Sequence, residues 1–540
     1  MNSRSFSDNN VPIHARHLAI WGRTEGSRQQ PPVAVKSVQG QATSRQQTRR
    51  RSTRPEWQTP SAAPSPDAQA YICRQLEATH SLHPLLVGSR MVDLASPPRP
   101  RPPKAPFRSP VEPAGGMGSV AEDEAEQVAR VMLSWHALEL VSLRKVQTLW
   151  AGYGHVCHVT ARAASAATAG RVRAAYGDIG VDVADGDGGG TETYALVLKL
   201  ISPPSIPAGA ADEGHLRKIL SYEVEQNFYG SVAPRLGRDL PLARCIAATR
   251  GKPGSDTPEG VTAIMMTDLR AKYPVAGEKR AALNETQVHA ALDWLSKFHR
   301  KSWDILPMPL QELLLPPLEE AERRRQGTSS ERSSVWLNGG YTYLATRRKE
   351  YASLAADSDS EWSSKLCEPL PPRGLSVAEM VANVLTPRGR DHETLIHGDV
   401  KSENLFTTSP GSEVAFYDFQ YVGLGLGVCD LAKLFTCSVP LHMLTNDDGS
   451  MMLHMDDGER KLLERYRENL LAGTDKTYDW DTLIRHWETA LVDWLRFQAS
   501  WGFWGNTEWL EARVRFILKD PDWRSWLEEQ QNLIYLEANP

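Results

Sequence analysis

The sequence predicts an α+β fold in which a small β-rich part precedes a larger, mostly helical one, behind a long disordered N-terminal region. Three observations lead there. Between residues 140 and 266 the apolar runs are short and strand-like: Val146–Ala151, Val156–Ala161, Tyr194–Ile201 and Val261–Met266. Beyond them, apolar residues recur at helical spacing in Leu283–Trp303, and Trp480, Trp487, Trp494 and Trp501 mark one face of a later helix. Residues 1–117 carry neither period; rich in Ser, Gln, Pro and Arg, they bury too little apolar surface to offset the entropy of ordering.

Bulk properties remove several function classes. A net charge of −5 and a pI near 6.3 give no basic footprint for nucleic acid. The cysteines Cys73, Cys157, Cys245, Cys367, Cys429 and Cys437 are scattered without C-x-x-C spacing, which reads as reduced thiols in an intracellular protein. No run reaches the ~18 apolar residues of a membrane span. The first sixty residues are Arg- and Ser-rich, with Asp8, Glu25 and Glu56 as their acids, a composition that fits an organellar transit peptide and equally an uncleaved tail. Pro97–Pro103 reads as a semi-rigid linker, and a short helix is expected near Asp67–Thr79. The domain reading is therefore 1–117 tail, 118–266 first lobe and 267–540 second lobe.

In chain order, Glu122–Leu140 has helical spacing at Val128, Val131, Met132, Trp135 and Leu138, and is expected to back the first lobe. Two strands follow around the turn Gly152-Tyr153-Gly154-His155. Residues 163–193 are Gly- and Ala-rich and read as a flexible insertion; the run Asp185–Gly190 lacks the closing Glu of a calcium loop. Lys199 interrupts the apolar strand Tyr194–Ile201. A charge there is costly unless paired, so it either snorkels from an edge strand or meets a phosphate or a helix acid. The helix Leu216–Tyr229 supplies Glu223 and Glu225. Thr267-Asp268-Leu269 ends the next strand. His299, on the helix Leu283–Trp303, is given no role. The segment Trp336–Ala352 either packs or lines a pocket, and the Trp face reads chiefly as packing, with an amine-holding aromatic wall as the other reading.

The stretch Leu395–Phe406 and its sequel Val414–Gln420 carry the chemistry. Two short apolar runs end in Asp399 and Asp418, with Asn404 between. Phosphoryl transfer needs such a set: one Asp to orient the acceptor hydroxyl and take its proton, and an Asn and a second Asp to hold Mg²⁺ on the nucleotide phosphates.

His397-Gly398-Asp399 with Asn404, and Asp418-Phe419-Gln420, resemble the catalytic and metal loops of the aminoglycoside phosphotransferase and choline kinase superfamily, especially its ecdysteroid-kinase-like branch. The resemblance implies a bilobal, protein-kinase-like fold and transfer of phosphate from ATP, with Mg²⁺, to a hydroxyl of a small amine-bearing or steroid-like acceptor. It implies that Lys199 holds the α/β-phosphates. Glu225-Gln226-Asn227-Phe228-Tyr229 resembles the family's E-x-x-F-Y, which makes Glu225 the partner of Lys199, with Glu223 as the alternative. Gly152 and Gly154 would lie over the phosphates and Asp268 at the adenine hinge. Asp399 would be the base, Lys401 would reach the γ-phosphate, and Asn404 and Asp418 would carry the metal. His397 and Asp430, the latter in an Asp-Leu-Ala segment, would support the loop. A protein kinase is disfavoured because Gly398 replaces the Arg of H-R-D and the interval from Asp418 to Asp430 is too short for an activation loop. A catalytically silent nucleotide-binding module is the remaining rival, since the glycine turn is sparse and Gln420 stands where protein kinases have Gly.

Overall fold

The computed structural model describes residues 118–540 except 178–180, 183–191, 205–211, 251–260, 328–334, 448 and 539–540. Residues 1–60, read as a transit peptide or a tail, the expected helix near Asp67, the proline linker and the run 185–190 lie outside the described residues.

The smaller lobe is built on an antiparallel sheet in the order β1-β2-β4-β6-β5. Its strands are β1 (Leu138–Thr148), β2 (Gly154–Ala163), β3 (Val181–Asp182, paired with the start of β4), β4 (Thr193–Ile201), β5 (Cys245–Ala248) and β6 (Thr262–Thr267). Alternation along β4 decides the site. Leu196, Leu198 and Leu200 share one face and pack with Ala129 and Met132 of helix α1 (Gly118–Ser134). The period of two then sends Lys199 to the opposite face.

Several boundaries differ from the sequence reading. Helix α1 stops at Ser134, short of Leu140, because the chain turns at Ala137 (φ 54°). Leu138 satisfies a helical step from Trp135 and a strand alternation alike, and only its pairing with Ala163 across β2 selects the strand. Trp150–Gly152 forms a tight helical turn in place of a strand end. Within the expected insertion, helix α2 (Ala166–Tyr176) starts at Ser165, whose side chain accepts from the Thr168 amide, and buries Ala169 and Val172.

Helix α3 (Glu213–Asn227) is capped by Asp212, which accepts from the His215 amide, and it runs on into a π turn at Phe228–Val232. Leu220, Val224 and Phe228, four apart, form its buried stripe. In the larger lobe, α4 (Glu285–Trp303) opens with an Asn284/Gln287 capping box and buries Val288, Leu292, Leu295 and Phe298. Short strands then frame the two motif loops. β8 (Glu393–Ile396) pairs with β11 (Gly423–Leu426), and β9 (Leu405–Thr407) lies between β7 (Val275–Ala276) and β10 (Val414–Phe416). Residues 397–404 thus link β8 to β9, and 417–422 link β10 to β11. Phe419 stacks on Phe228 at 4.1 Å and meets Phe298 edge-on, joining the lobes through one core.

Helices α5 (Val428–Cys437), α6 (Asp457–Leu471) and α7 (Trp480–Trp501) belong to the larger lobe. On α7, Trp487 and Trp494 are core residues, and the Trp487 indole donates to Glu459 at 2.7 Å; packing is the main use of the Trp face. Among the described residues no helix is long and apolar enough to cross a membrane. The architecture is the bilobal, kinase-like one that the motifs imply.

Candidate functional site

Lys199 lies where the two lobes meet, and its ammonium donates to Glu225 Oε2 at 2.6 Å and to Asp418 Oδ1 at 2.9 Å. Glu223 faces outward instead, on Arg324 at 2.8 Å, so the choice between the two acids falls on Glu225. The difference is one of helix face: Glu225 follows the buried Val224 toward β4, whereas Glu223 lies two residues behind on the open side. Burial acts against both charges. It lifts the Glu225 carboxyl to about 7, against the pull of Lys199. Lys199 suffers the same desolvation, but two carboxylates outweigh it and raise its pKa above the ordinary lysine value. With two anions around one cation, the ammonium is the securely charged member.

Asp418 sits in the left-handed region (φ 66°, ψ 59°), which a non-glycine residue occupies at a cost. The fully buried Phe419 beside it, wedged against Phe228, fixes that backbone. Burial would raise the Asp418 carboxyl, but Lys199 and then Lys401 pull it below its usual range.

The loop 397–404 is held from behind. Asp430, fully buried at the start of α5, accepts from the amides of His397 at 2.7 Å and Gly398 at 2.9 Å, and from His299 Nε2 at 3.2 Å. Lys433, one turn on, donates to the Gly398 carbonyl at 2.8 Å. Gly398 has φ +84°, and a Cβ there would lie 2.3 Å from the Tyr421 carbonyl oxygen, so only glycine fits. Buried His397 accepts from the Asp399 amide at Nδ1 and faces the Tyr417 carbonyl with Nε2 at 2.9 Å. Those two contacts specify a neutral ring protonated on Nε2. Desolvation holds its pKa below the ordinary histidine value, despite the opposing charge of Asp430.

In front of this brace, Asp399 Oδ2 accepts from Asn404 Nδ2 at 3.0 Å and pairs with Lys401 Nζ at 3.1 Å. Asn404 Nδ2 also donates to the Asp399 carbonyl at 2.8 Å. Its amide nitrogen is thereby committed, which leaves Oδ1 to serve as a hard oxygen donor. Lys401 is desolvated, yet Asp399 and Glu403 raise its pKa above the ordinary value. Among the described residues no three His, Cys, Asp or Glu side chains cluster as a metal cage. Two protein oxygens plus phosphate oxygens is the ligand supply that suits Mg²⁺.

Two expected contributors are otherwise engaged. The amides of Gly152 and Tyr153 donate back to the carbonyls of Leu149 and Trp150, closing the loop on itself. Gly154 is required by packing: its Cβ would meet the Leu200 carbonyl at 2.1 Å. Tyr153 pins this turn to α3 through His215 at 2.7 Å. Asp268 follows β6, but its carboxylate pairs with His158 and Arg270, and its amide donates to Ala195.

Sequence reasoning gave no role to His299 or Lys433, read Gln420 only as a departure from Gly, and left Arg347 in a segment that either packs or lines a pocket. Lys433 stood in the apolar run Leu431-Ala432-Lys433-Leu434-Phe435 and carried the same signal that singled out Lys199. His299 lies on the buried stripe of α4 and also contacts the Tyr466 hydroxyl at 2.8 Å. Arg347, fully buried, stacks 3.8 Å from the Tyr341 ring and 5.1 Å from that of Trp501. Tyr341 abuts Tyr421, and its amide donates to the Gly398 carbonyl, so this cluster adjoins Asp399.

The ecdysteroid kinase-like family model matches residues 179–454, just over half of the chain, from the middle of the first lobe past both motif loops. No curated protein matches the chain in sequence. Among solved structures, a choline kinase from Cryptosporidium parvum is 10% identical over 78% of this chain and 98% of its own, with a TM-score of 0.35. The macrolide 2'-phosphotransferase MphH from Brachybacterium faecium is 14% identical over 68% of this chain and 89% of its own, at 0.33. An ethanolamine kinase from Plasmodium vivax is 10% identical over 77% of this chain and 98% of its own, also at 0.33. By the extent of the family match, which takes in Lys199, Asp399, Asn404 and Asp418, the chain belongs to the ecdysteroid kinase-like family.

Proposed function

We propose that this protein transfers the γ-phosphate of ATP, with Mg²⁺, to a hydroxyl of a low-molecular-weight acceptor. The observation that carries the reading is the convergence of Lys199, Glu225 and Asp418 within hydrogen-bond distance, from residues up to 219 positions apart. In this reading Lys199, oriented by Glu225, holds the α/β-phosphates. Asn404 Oδ1 and Asp418 present oxygen to the Mg²⁺. A cation held by these oxygens would neutralise charge on the phosphates. Asp399, 20% exposed at its side chain, faces the acceptor, orients its hydroxyl and takes its proton. Lys401 balances charge toward the γ-phosphate. His397, neutral and fixed on the Tyr417 carbonyl, holds the Asp399 amide and takes no part in proton transfer. Asp268 marks the adenine hinge through its backbone carbonyl, and Gly152 and Gly154 shape the turn above the phosphates.

The acceptor side favours one class. The faces of Tyr341 and Trp501, which would hold an amine-bearing head group, already hold the Arg347 guanidinium. A choline-like cation would have to displace the buried Arg347 from those rings, whereas an uncharged or anionic alcohol such as a steroid would not.

The test has two steps. Mg²⁺-ATP at about 100 times its Kd should raise the unfolding free energy by about 2.7 kcal/mol. A screen of alcohols for ATP consumption should then give turnover with polycyclic alcohols ahead of quaternary amines. Absence of any Mg²⁺-ATP stabilisation would remove the kinase reading, and preferred turnover of choline would remove the acceptor assignment.

A further inference from the structure

Gln420 occupies a position where glycine would leave no side chain, and in this fold that side chain is fully engaged. Its Nε2 donates to Asp418 Oδ1 at 2.7 Å, and its Oε1 lies 3.1 Å from the Ser221 hydroxyl. The amide orientation follows from chemistry: a carboxylate oxygen accepts only, so the NH₂ end must face Asp418. Ser221 is one helical turn before Glu225 on α3 and equally buried, and its hydroxyl proton lies between the Lys218 carbonyl and Gln420. A closed ring results: Glu225 to Lys199 to Asp418 to Gln420 to Ser221, and back along α3 to Glu225. Asp418 therefore has Oδ1 engaged by two donors, Lys199 and Gln420.

We infer that Gln420 is a positioning residue: with Lys199 it locks the rotation of the Asp418 carboxylate so that Oδ2 is presented to the nucleotide-bound cation, and through Ser221 it ties that setting to the position of α3. The inference rests on the kinase reading of the cleft and deepens it. Lys199 alone leaves the carboxylate free to pivot about one contact. A second, charge-assisted hydrogen bond removes that freedom. It also makes metal affinity sensitive to where α3 sits, since a shift of the helix pulls on both ends of the ring.

The test measures Mg²⁺ dependence of ADP binding on the full chain, by thermal shift at fixed ADP with Mg²⁺ titrated, and needs no acceptor. Gln420→Ala should raise the Mg²⁺ concentration for half-maximal stabilisation about tenfold, the worth of one hydrogen bond to a charged group. Gln420→Glu, equal in size but setting an oxygen against Asp418, should raise it further. Ser221→Ala should move it in the same direction by less. A purely structural Gln420 would instead lower the melting temperature without nucleotide or metal in all three variants and leave the Mg²⁺ midpoint in place. An unchanged midpoint in Gln420→Ala, or a wild-type midpoint in Gln420→Glu, overturns the inference while the kinase reading stands. A wild-type protein showing no Mg²⁺-dependent ADP stabilisation overturns both.

Discussion

Replacing Asp399 by Asn is expected to slow turnover by about 10²–10⁴-fold, the usual worth of a positioned acid–base group, while nucleotide binding stays nearly intact. The geometry argues for that split. Asn404 reaches Asp399 twice, and the shorter bond, 2.8 Å, goes to the backbone carbonyl, which the substitution does not touch. The metal-facing oxygen of Asn404 and the ring around Asp418 should therefore stay where they are. What is lost is the anion that accepts the acceptor's proton, together with its pairing to Lys401 at 3.1 Å. Turnover on the alcohol selected by the screen, set beside the ADP Kd from calorimetry, checks the prediction. A variant that retains a wild-type rate would remove Asp399 from the chemistry, and one that loses ADP binding would show the residue to be part of the nucleotide site.

Asp430→Leu should be the most destabilising single change near the site, at about 3–5 kcal/mol, the range for stripping a buried polar network of its charged partner. Three donors converge on that carboxylate: two backbone amides of the loop, and His299. Leucine fills the volume but leaves the three donors buried and unsatisfied. Urea denaturation would report the loss directly, and a change under 1 kcal/mol would show that the loop finds other acceptors. The same carboxylate sets a pH dependence. Burial acts to raise its pKa, but the hydrogen bond and charge of His299, with Lys433, bring it below the ordinary carboxylate value. A depressed folded pKa means that the stabilisation is fully present above the unfolded value near 4 and fades as pH falls through the folded one. Wild-type stability should thus fall on acidification below about pH 4, and the Asp430→Leu variant should lose part of that slope. Identical slopes in the two proteins would contradict the assignment.

The motif residues were legible because their chemistry is local. A lysine inside Tyr194–Ile201 is costly wherever the strand is buried, so it announced a partner before any partner was visible. Asp399 and Asp418 stood at the ends of short apolar runs, where loops emerge from strands, with Asn404 between them. The glycine turn was less legible. Gly152 and Gly154 look the same in sequence whether their amides face a ligand or close on their own loop, and the structure has the Gly152 amide on Leu149. Helix α2 was missed because small residues give no periodic contrast, although Ser165 was an available cap.

The sequence by itself determined the class of fold, the family resemblance and the residue types of the site, since these depend on apolar period and on side-chain chemistry within a few positions. Only the tertiary structure decided that Glu225 and not Glu223 meets Lys199, that His299 and Lys433 brace the loop with Asp430, that Arg347 fills the aromatic face, and that Gln420 binds Asp418. Most of these join segments far apart in the chain, and even Gln420, two positions from Asp418, reaches it only in the folded loop; such contacts are set by how the lobes, helices and loops pack. No local pattern records the direction in which a polar side chain will find its partner.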